Sequence, residues 1–451
     1  MNSRSLSQLT RALAVVIAAT LVLAGIAFAS GPQEKILYSF QGSSAASGQD
    51  GEGPNDLISD AAGNLYGVTT GGGICVLTHY QSYPCGTVFE LSPPITVGGE
   101  WTETVLYEFG TNAGDGTNPV GNLIRDKKGN LYGVTAYSGQ NGVSGYGCGN
   151  FYELSPPSQP GGVWTETVLY NFQGNSDGCS PLGTLVVDSH GNIYGATGGG
   201  GSLASLPPPK GNDTGGIFQM APPTSKGGSW TESFTQSLGG GIYPGGPLTI
   251  DQQGNLYGAT RPYGTTYQAT IFQLIPPASP GGTWTGTALY SFPGGSDGSA
   301  VVGLNHDIKV TLYGVTQDGG TAGLGTVFKL VPTQNGSWTK IILYSFQGGN
   351  DGATPLGRMT LDYKGNLYGT TFGGGGNATA CPYGNGCGTV FKLTHGTSGW
   401  SEQVTHRFQG SPADGFYPSA RVLVVGEKIF GTTNEGGNVS PYFFGTVFEI
   451  E

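Results

Sequence analysis

Charge is what this chain has least of. Lys and Arg number 18 and Asp and Glu 29 among 451 residues, so 10% of the chain is charged, with a formal net charge of −11. Little basic charge in a net negative field disfavours nucleic acid and anionic membrane surfaces as partners. Histidine is rare as well. His79, His190, His306, His395 and His406 share no motif, and neither a His-Glu-x-x-His zinc signature nor a Gly-x-Ser-x-Gly nucleophile elbow occurs. The glycine tracts 71–73, 198–201 and 373–376 are not followed by Gly-Lys-Ser/Thr, which excludes a phosphate loop. Beyond the N-terminal region no window of helical length carries apolar residues at helical spacing, and no second long apolar run exists, so no membrane span is expected in the mature chain.

The N-terminal region is the exception. Arg4 and Arg11 precede an apolar stretch over 12–27, and Ala27-Phe28-Ala29 has the small-x-small form of a cleavage site. Residues 1–29 therefore read as a secretory signal peptide, with a retained membrane anchor as the alternative. Cleavage near Ala29 would leave residues 30–451 as one domain, secreted or periplasmic and expected to be monomeric.

What the chain has in abundance is glycine, 84 residues, together with 23 Tyr and 20 Phe, arranged in a repeat. Tyr66, Tyr132, Tyr194, Tyr257, Tyr313, Tyr368 and Phe430 are the central aromatics of seven copies spaced 55 to 66 residues apart. Each copy holds four short phrases rich in β-branched and aromatic residues, separated by Gly, Pro, Asn and Asp, which is the strand signal. In the second copy they are Leu123 to Asp126, Asn130 to Thr135, Phe151 to Leu154 and Trp164 to Tyr170. A turn, Asp-x-x-Gly-Asn, joins the first two phrases at residues 60–64, 126–130, 188–192, 251–255 and 362–366. Its Asp can accept backbone hydrogen bonds and its Gly can take positive φ. It lacks the alternating oxygen ligands and distal Glu of an EF-hand loop. The fifth and seventh copies lack the motif, so His306 to Thr311 and Val425 to Lys428 are expected to turn differently.

Seven four-stranded units predict an all-β fold, a seven-bladed β-propeller of antiparallel blades. An open stack would need atypical capping units, and the end units look ordinary. The phrase Ile36-Leu37-Tyr38-Ser39-Phe40 is a fourth strand without a blade before it, and Thr446 to Ile450 is a third strand without a partner after it. Pairing the two closes the ring and removes an exposed edge.

Six cysteines fit an oxidising compartment. Cys75 and Cys85 share one loop between the second and third strands, and Cys381 and Cys387 share the equivalent loop of the sixth copy. Cys148 has no mate in its own loop, but Cys179 lies on the same face. The expected disulfides are Cys75–Cys85, Cys148–Cys179 and Cys381–Cys387, against the alternative of buried free thiols.

The first two strands of the unit resemble the NHL-type propeller repeat. The whole unit, carried by Gly63-Asn64-Leu65-Tyr66-Gly67-Val68-Thr69-Thr70-Gly71-Gly72 and Gly86-Thr87-Val88-Phe89-Glu90-Leu91, resembles the Gloeo-Verruco (GloVer) tandem-repeat family of secreted bacterial proteins. That resemblance covers nearly all of residues 34–451. It implies an extracellular location and brings no established activity. Some members carry a C-terminal sorting anchor, whereas this chain stops at Glu451 within a strand-like phrase.

A second motif, Asp-Gly, precedes each first strand as Asp50, Asp115, Asp177, Asp297, Asp351 and Asp414, with Gly239-Gly240-Gly241 in the fourth copy. In a propeller these loops share one face. Six carboxylates there could surround the channel and bind a polyhydroxylated ligand or Ca²⁺ through oxygen, and no other cofactor is implied. Alternatively each Asp caps its own turn and ties it to the neighbouring blade. The Trp series (Trp101, Trp164, Trp230, Trp284, Trp338 and Trp400) could stack on sugars, but its place at the start of each outer strand favours rim packing. The expected function is a secreted non-catalytic scaffold that binds an extracellular glycan or protein. The alternatives are a polysaccharide hydrolase or lyase with its site at the channel mouth, and a structural cell-surface component. Non-repeated residues at that mouth would favour the enzyme, and the candidates are Arg125, Arg261, Arg358, Arg407, His79 and His306.

Overall fold

The computed structural model describes residues 34–451 except 43–49, 75–84, 139–146, 175–176, 200–214, 238–241, 245–247, 263–267, 280–281, 377–380, 438–443 and the single positions 97, 113, 160, 226 and 413. The expected leader and Cys75 lie outside the described residues. Strand phrases become seven antiparallel blades, each running in chain order from inner to outer strand. Blade 1 is Gly51–Pro54, Leu65–Gly72, Thr87–Ser92 and Thr102–Glu108. Blades 2 to 6 occupy residues 116–171, 179–237, 242–291, 301–345 and 352–407. Blade 7 takes its inner three strands from the end of the chain and its outer strand, Glu34–Ser39, from the beginning. Glu34 lies opposite Ile450 and Ser39 opposite Thr446, so the ring closes as the terminal phrases imply.

The blades are held together by side chains from neighbouring sheets. The Phe that follows six of the outer strands meets the third strand of the next blade edge-on: Phe40 on Phe89, Phe109 on Tyr152, Phe172 on Phe218, Phe292 on Phe328, Phe346 on Phe391 and Phe408 on Phe448, with centroids 4.9–5.5 Å apart. Such a pair contributes about 0.5–1.5 kcal/mol beyond its buried area. The Trp series works in the other direction. Trp101 packs on Phe430, Trp230 on Tyr132, Trp284 on Tyr194 and Trp400 on Tyr313, in each case on the central aromatic of the preceding blade.

Backbone also crosses between blades. The residue before the inner-strand Pro is left-handed in Gly53, Asn118, Ser180, Thr354 and Tyr417, with φ of 53° to 64°. That twist aims its N–H at a carbonyl of the preceding blade, respectively Phe444, Cys85, Cys148, Leu324 and Cys387. Disulfides reinforce the same region. Cys148–Cys179 joins blade 2 to blade 3, Cys381–Cys387 closes a loop of blade 6, and Cys85 is also disulfide-bonded.

The hairpin turns need one correction. In Asp60-Ala61-Ala62-Gly63-Asn64, Asp60 Oδ1 accepts from the amides of Ala62 and Asn64, Oδ2 accepts from Asn64 Nδ2 and Tyr66 Oη, and Gly63 has φ 87°. The fifth copy was expected to turn differently, yet Asp307 Oδ1 accepts from the amides of Lys309 and Thr311 in the same pattern. Val310 stands in the glycine position with φ 62°. The Asp carries the turn and the glycine only relieves it. The seventh copy does differ: Val425 pairs with Lys428 across a two-residue loop, with Gly426 at φ 66°.

Candidate functional site

The Asp-Gly carboxylates sit at the corners where one blade's outer strand hands the chain to the next blade. Each accepts a hydrogen bond from a residue of the preceding outer strand: Asp50 from Tyr38, Asp115 from Tyr107, Asp177 from Tyr170, Asp297 from Tyr290 and Asp351 from Tyr344, at 2.7–3.1 Å. At Asp414 the partner is His406 Nε2, at 3.1 Å. Backbone amides add to this, from Gln41, Thr111, Gln173, Gln347 and Gln409. Asp50, Asp115, Asp177 and Asp414 are buried. Each of the six carboxylates is thus tied to the outer strand of the preceding blade at its own junction.

A second acid faces these corners from the outer strand of the following blade, two residues after the Trp position. Burial, followed by the charge of the partner Asp, pushes Glu103 (against Asp50), Glu166 (against Asp115), Glu232 (against Asp177) and Glu402 (against Asp351) up to about 7. One carboxylate oxygen of each of these glutamates is buried without a hydrogen-bond partner. Blade 5 places Lys340 at this position, and its Nζ lies 2.9 Å from Asp297 Oδ1. Blade 4 has Gly286 there and glycines in place of the Asp. Where a Lys replaces the acid the Asp gains an ion pair, and where a Gly replaces it the Asp is missing too, so the two positions vary together as a structural pair does.

The asymmetric residues lie further along the inner strands, between the Asp-Gly corner and the hairpin turn, where neighbouring inner segments touch. The position before the buried Leu, Met or Val reads Asp56, Asn122, Thr184, Pro247, Gly303, Arg358 and Arg421. Asn122 clasps Leu185 of blade 3 through its carbonyl and amide. Arg358 passes over Gly303 of blade 5, where an added Cβ would sit 2.7 Å from Arg358 Cα, and its Nη1 donates to the Leu248 carbonyl of blade 4 at 3.1 Å. Burial first, and then the Arg421 guanidinium, push Arg358 down to about 10, while Asp56 acts in the opposite sense. The Arg421 amide donates to Asp56 Oδ1 at 2.7 Å, linking blade 7 to blade 1. Nε of both arginines is buried without a hydrogen-bond partner among the described residues. Two adjacent blades therefore bring two guanidinium groups near each other, with the Asp56 carboxylate as the counter-charge acting on Arg358 among the described residues.

Of the other non-repeated candidates, Arg125 pairs with Asp60 at 3.9 Å, Arg407 Nε donates to the Asn350 carbonyl and His306 Nδ1 is 2.8 Å from Thr249 Oγ1. His79 and the Arg261 side chain lie outside what is described. Sequence reasoning missed Arg421, which belongs to no motif. It also missed an aromatic stack at the same blade 6–7 junction. Phe372, Tyr417 and Tyr383 lie nearly parallel, with centroids 4.4 Å and 5.2 Å apart along the stack, and Tyr383 is 67% exposed. The Tyr383 amide donates to Tyr417 Oη, and the Cys381–Cys387 loop carries Tyr383.

The model of the Gloeobacter/Verrucomicrobia repeat matches residues 24–226 and 210–381. No functionally curated protein matches the chain. Among solved structures, a protein of unknown function from Dyadobacter fermentans is 12% identical over 94% of this chain and 100% of its own, with a TM-score of 0.42. The extracellular domain of a putative one-component system from B. thetaiotaomicron is 13% identical over 92% of this chain and 42% of its own, with a TM-score of 0.48. A family PL25 polysaccharide lyase, an ulvan lyase, is 10% identical over 78% of each chain, with a TM-score of 0.45. Among the described residues no helix is long and apolar enough to cross a membrane.

Proposed function

The chain belongs to the Gloeobacter/Verrucomicrobia repeat family, and from that premise we propose that it is an extracellular propeller that binds an anionic glycan at the junction of blades 6 and 7. The observation that carries this reading is the guanidinium pair of Arg358 and Arg421, each with an unpartnered buried Nε. Guanidinium is the side chain best suited to planar carboxylate or sulfate groups. The exposed face of Tyr383 offers a surface on which a sugar ring can lie. The disulfides fit an oxidising location. The Asp-Gly set is read here as the fastening of the ring.

Calorimetry with a uronate oligosaccharide, a sulfated one and a neutral one tests this, with and without Ca²⁺. The anionic sugars are expected to bind, more weakly at higher salt. Arg421→Gln leaves the backbone bond to Asp56 in place and is expected to weaken binding roughly 10-fold or more, the loss of one charge-assisted hydrogen bond. Equal binding of the neutral sugar, or an unchanged affinity in Arg421→Gln, would refute the reading. Chain cleavage of the uronate on mixing would move the protein to the polysaccharide hydrolases or lyases.

A further inference from the structure

Three segments meet where the ring closes: the outer strand of blade 6, the corner leading into blade 7, and the closing strand Glu34–Ser39. Glu34, His406 and Asp414 each present a ligand-capable atom there, and these atoms all lie within 4.8 Å of one another. Glu34 faces Asp414 as Glu103, Glu166, Glu232 and Glu402 face their Asp, with Oε1 likewise buried and without a hydrogen-bond partner, and this corner adds a histidine. The Asp414 carboxylate is oriented by the Gln409 amide on Oδ2 and the Gly415 amide on Oδ1. The side chains of His406 and Asp414 are 15% and 6% exposed, so the point is sheltered but reachable.

The rest of the ring serves as the control. At five equivalent corners a phenol hydrogen-bonds the Asp, from Tyr38, Tyr107, Tyr170, Tyr290 and Tyr344. Hydrogen bonding alone therefore does not require an imidazole at position 406. What an imidazole adds is a nitrogen lone pair, and one His with two carboxylates is a donor set for borderline divalent ions. Blade 5 shows that such a corner accepts a positive centre, since Lys340 Nζ occupies it against Asp297 and lies over the rings of Phe292 and Phe328.

We propose that Glu34, His406 and Asp414 bind a divalent ion of the Zn²⁺ type at the seam of the propeller. Three protein ligands leave a coordination position for water. Because the ligands come from segments that meet only in the closed ring, binding free energy adds to the free energy of closure.

The test uses protein stripped with a chelator and then titrated with Zn²⁺ by calorimetry, with Tm followed in parallel. A single equivalent of Zn²⁺ is expected to bind and Tm to rise with it. Co²⁺ in its place should give the visible absorption of a low-coordinate nitrogen and oxygen site. His406→Tyr installs the phenol found at five other corners, so it is expected to fold while losing both the Zn²⁺ equivalent and the Tm response. Glu34→Gln, which keeps the size of the side chain and one oxygen, is expected to weaken binding at least 10-fold, as loss of one anionic ligand should. If the stripped protein takes up no Zn²⁺, or if His406→Tyr and Glu34→Gln take it up as the parent does, the proposal is overturned.

Discussion

Val310 holds a backbone conformation that a β-branched residue rarely adopts, at φ 62°. It is kept there by Asp307, whose Oδ1 accepts from the amides on either side of it. Left-handed backbone costs a non-glycine residue about 1–2 kcal/mol. Val310→Gly restores the composition used by five other copies and is expected to stabilise the protein by about 1 kcal/mol, since the added freedom of glycine in the unfolded chain offsets part of the relief. A urea unfolding midpoint that stays level or falls would show the valine to be unstrained. This position also shows what a sequence hides at the scale of one residue. The five regular turns were legible because Asp, Gly and Asn each have a turn role, whereas in the fifth the Asp persists and the other cues are gone. Arg421 was hidden for another reason. Its role appears only when the seven copies are placed side by side and one inner-strand position is seen to vary.

The blade corner is an element repeated with small changes, and its acids make stability depend on pH. Burial and a partner Asp hold Glu103, Glu166, Glu232 and Glu402 near 7 in the fold, against 4.5 for the unperturbed side chain. The folded state therefore binds protons that the unfolded state releases between those values. Stability from this source is complete below about 4.5 and declines as pH climbs through about 7. The hairpin aspartates Asp60 and Asp362 act in the opposite sense. Burial works against them, but hydrogen bonds from Asn64 and Tyr66, and from Asn366 and Tyr368, hold them below the usual carboxylate range. Their contribution is lost only in stronger acid. Tm is expected to be higher at pH 5 than at pH 8, and replacing the four glutamates by Gln is expected to flatten that slope. A Tm that rises from pH 5 to pH 8 in the parent would contradict the assignment. None of this was legible in the sequence, because the Glu and its Asp are about 50 residues apart in each copy.

At the scale of the whole molecule, the ring of seven similar sheets is closed where the last is completed by the strand Glu34–Ser39. The strand phrases, their number and the complementary end phrases were all legible, since each rests on local patterning. The centre was not, because it depends on which side chains converge after closure. Deleting residues 34–40 removes the partner of Thr446–Ile450 and the Phe40–Phe89 contact. The bared edge is expected to pair with other copies, lowering Tm by several degrees and giving oligomers on size-exclusion chromatography. A truncated protein that remains monomeric at the parent Tm would mean the ring does not depend on this strand.

The antiparallel register of the closing pair has a mechanical corollary. Glu34 faces Ile450 directly, so tension drawn across these two residues falls on one rung of the ladder at a time. The seam peels like a zipper instead of shearing as a block, and the wheel opens there while its six continuous spokes stay intact.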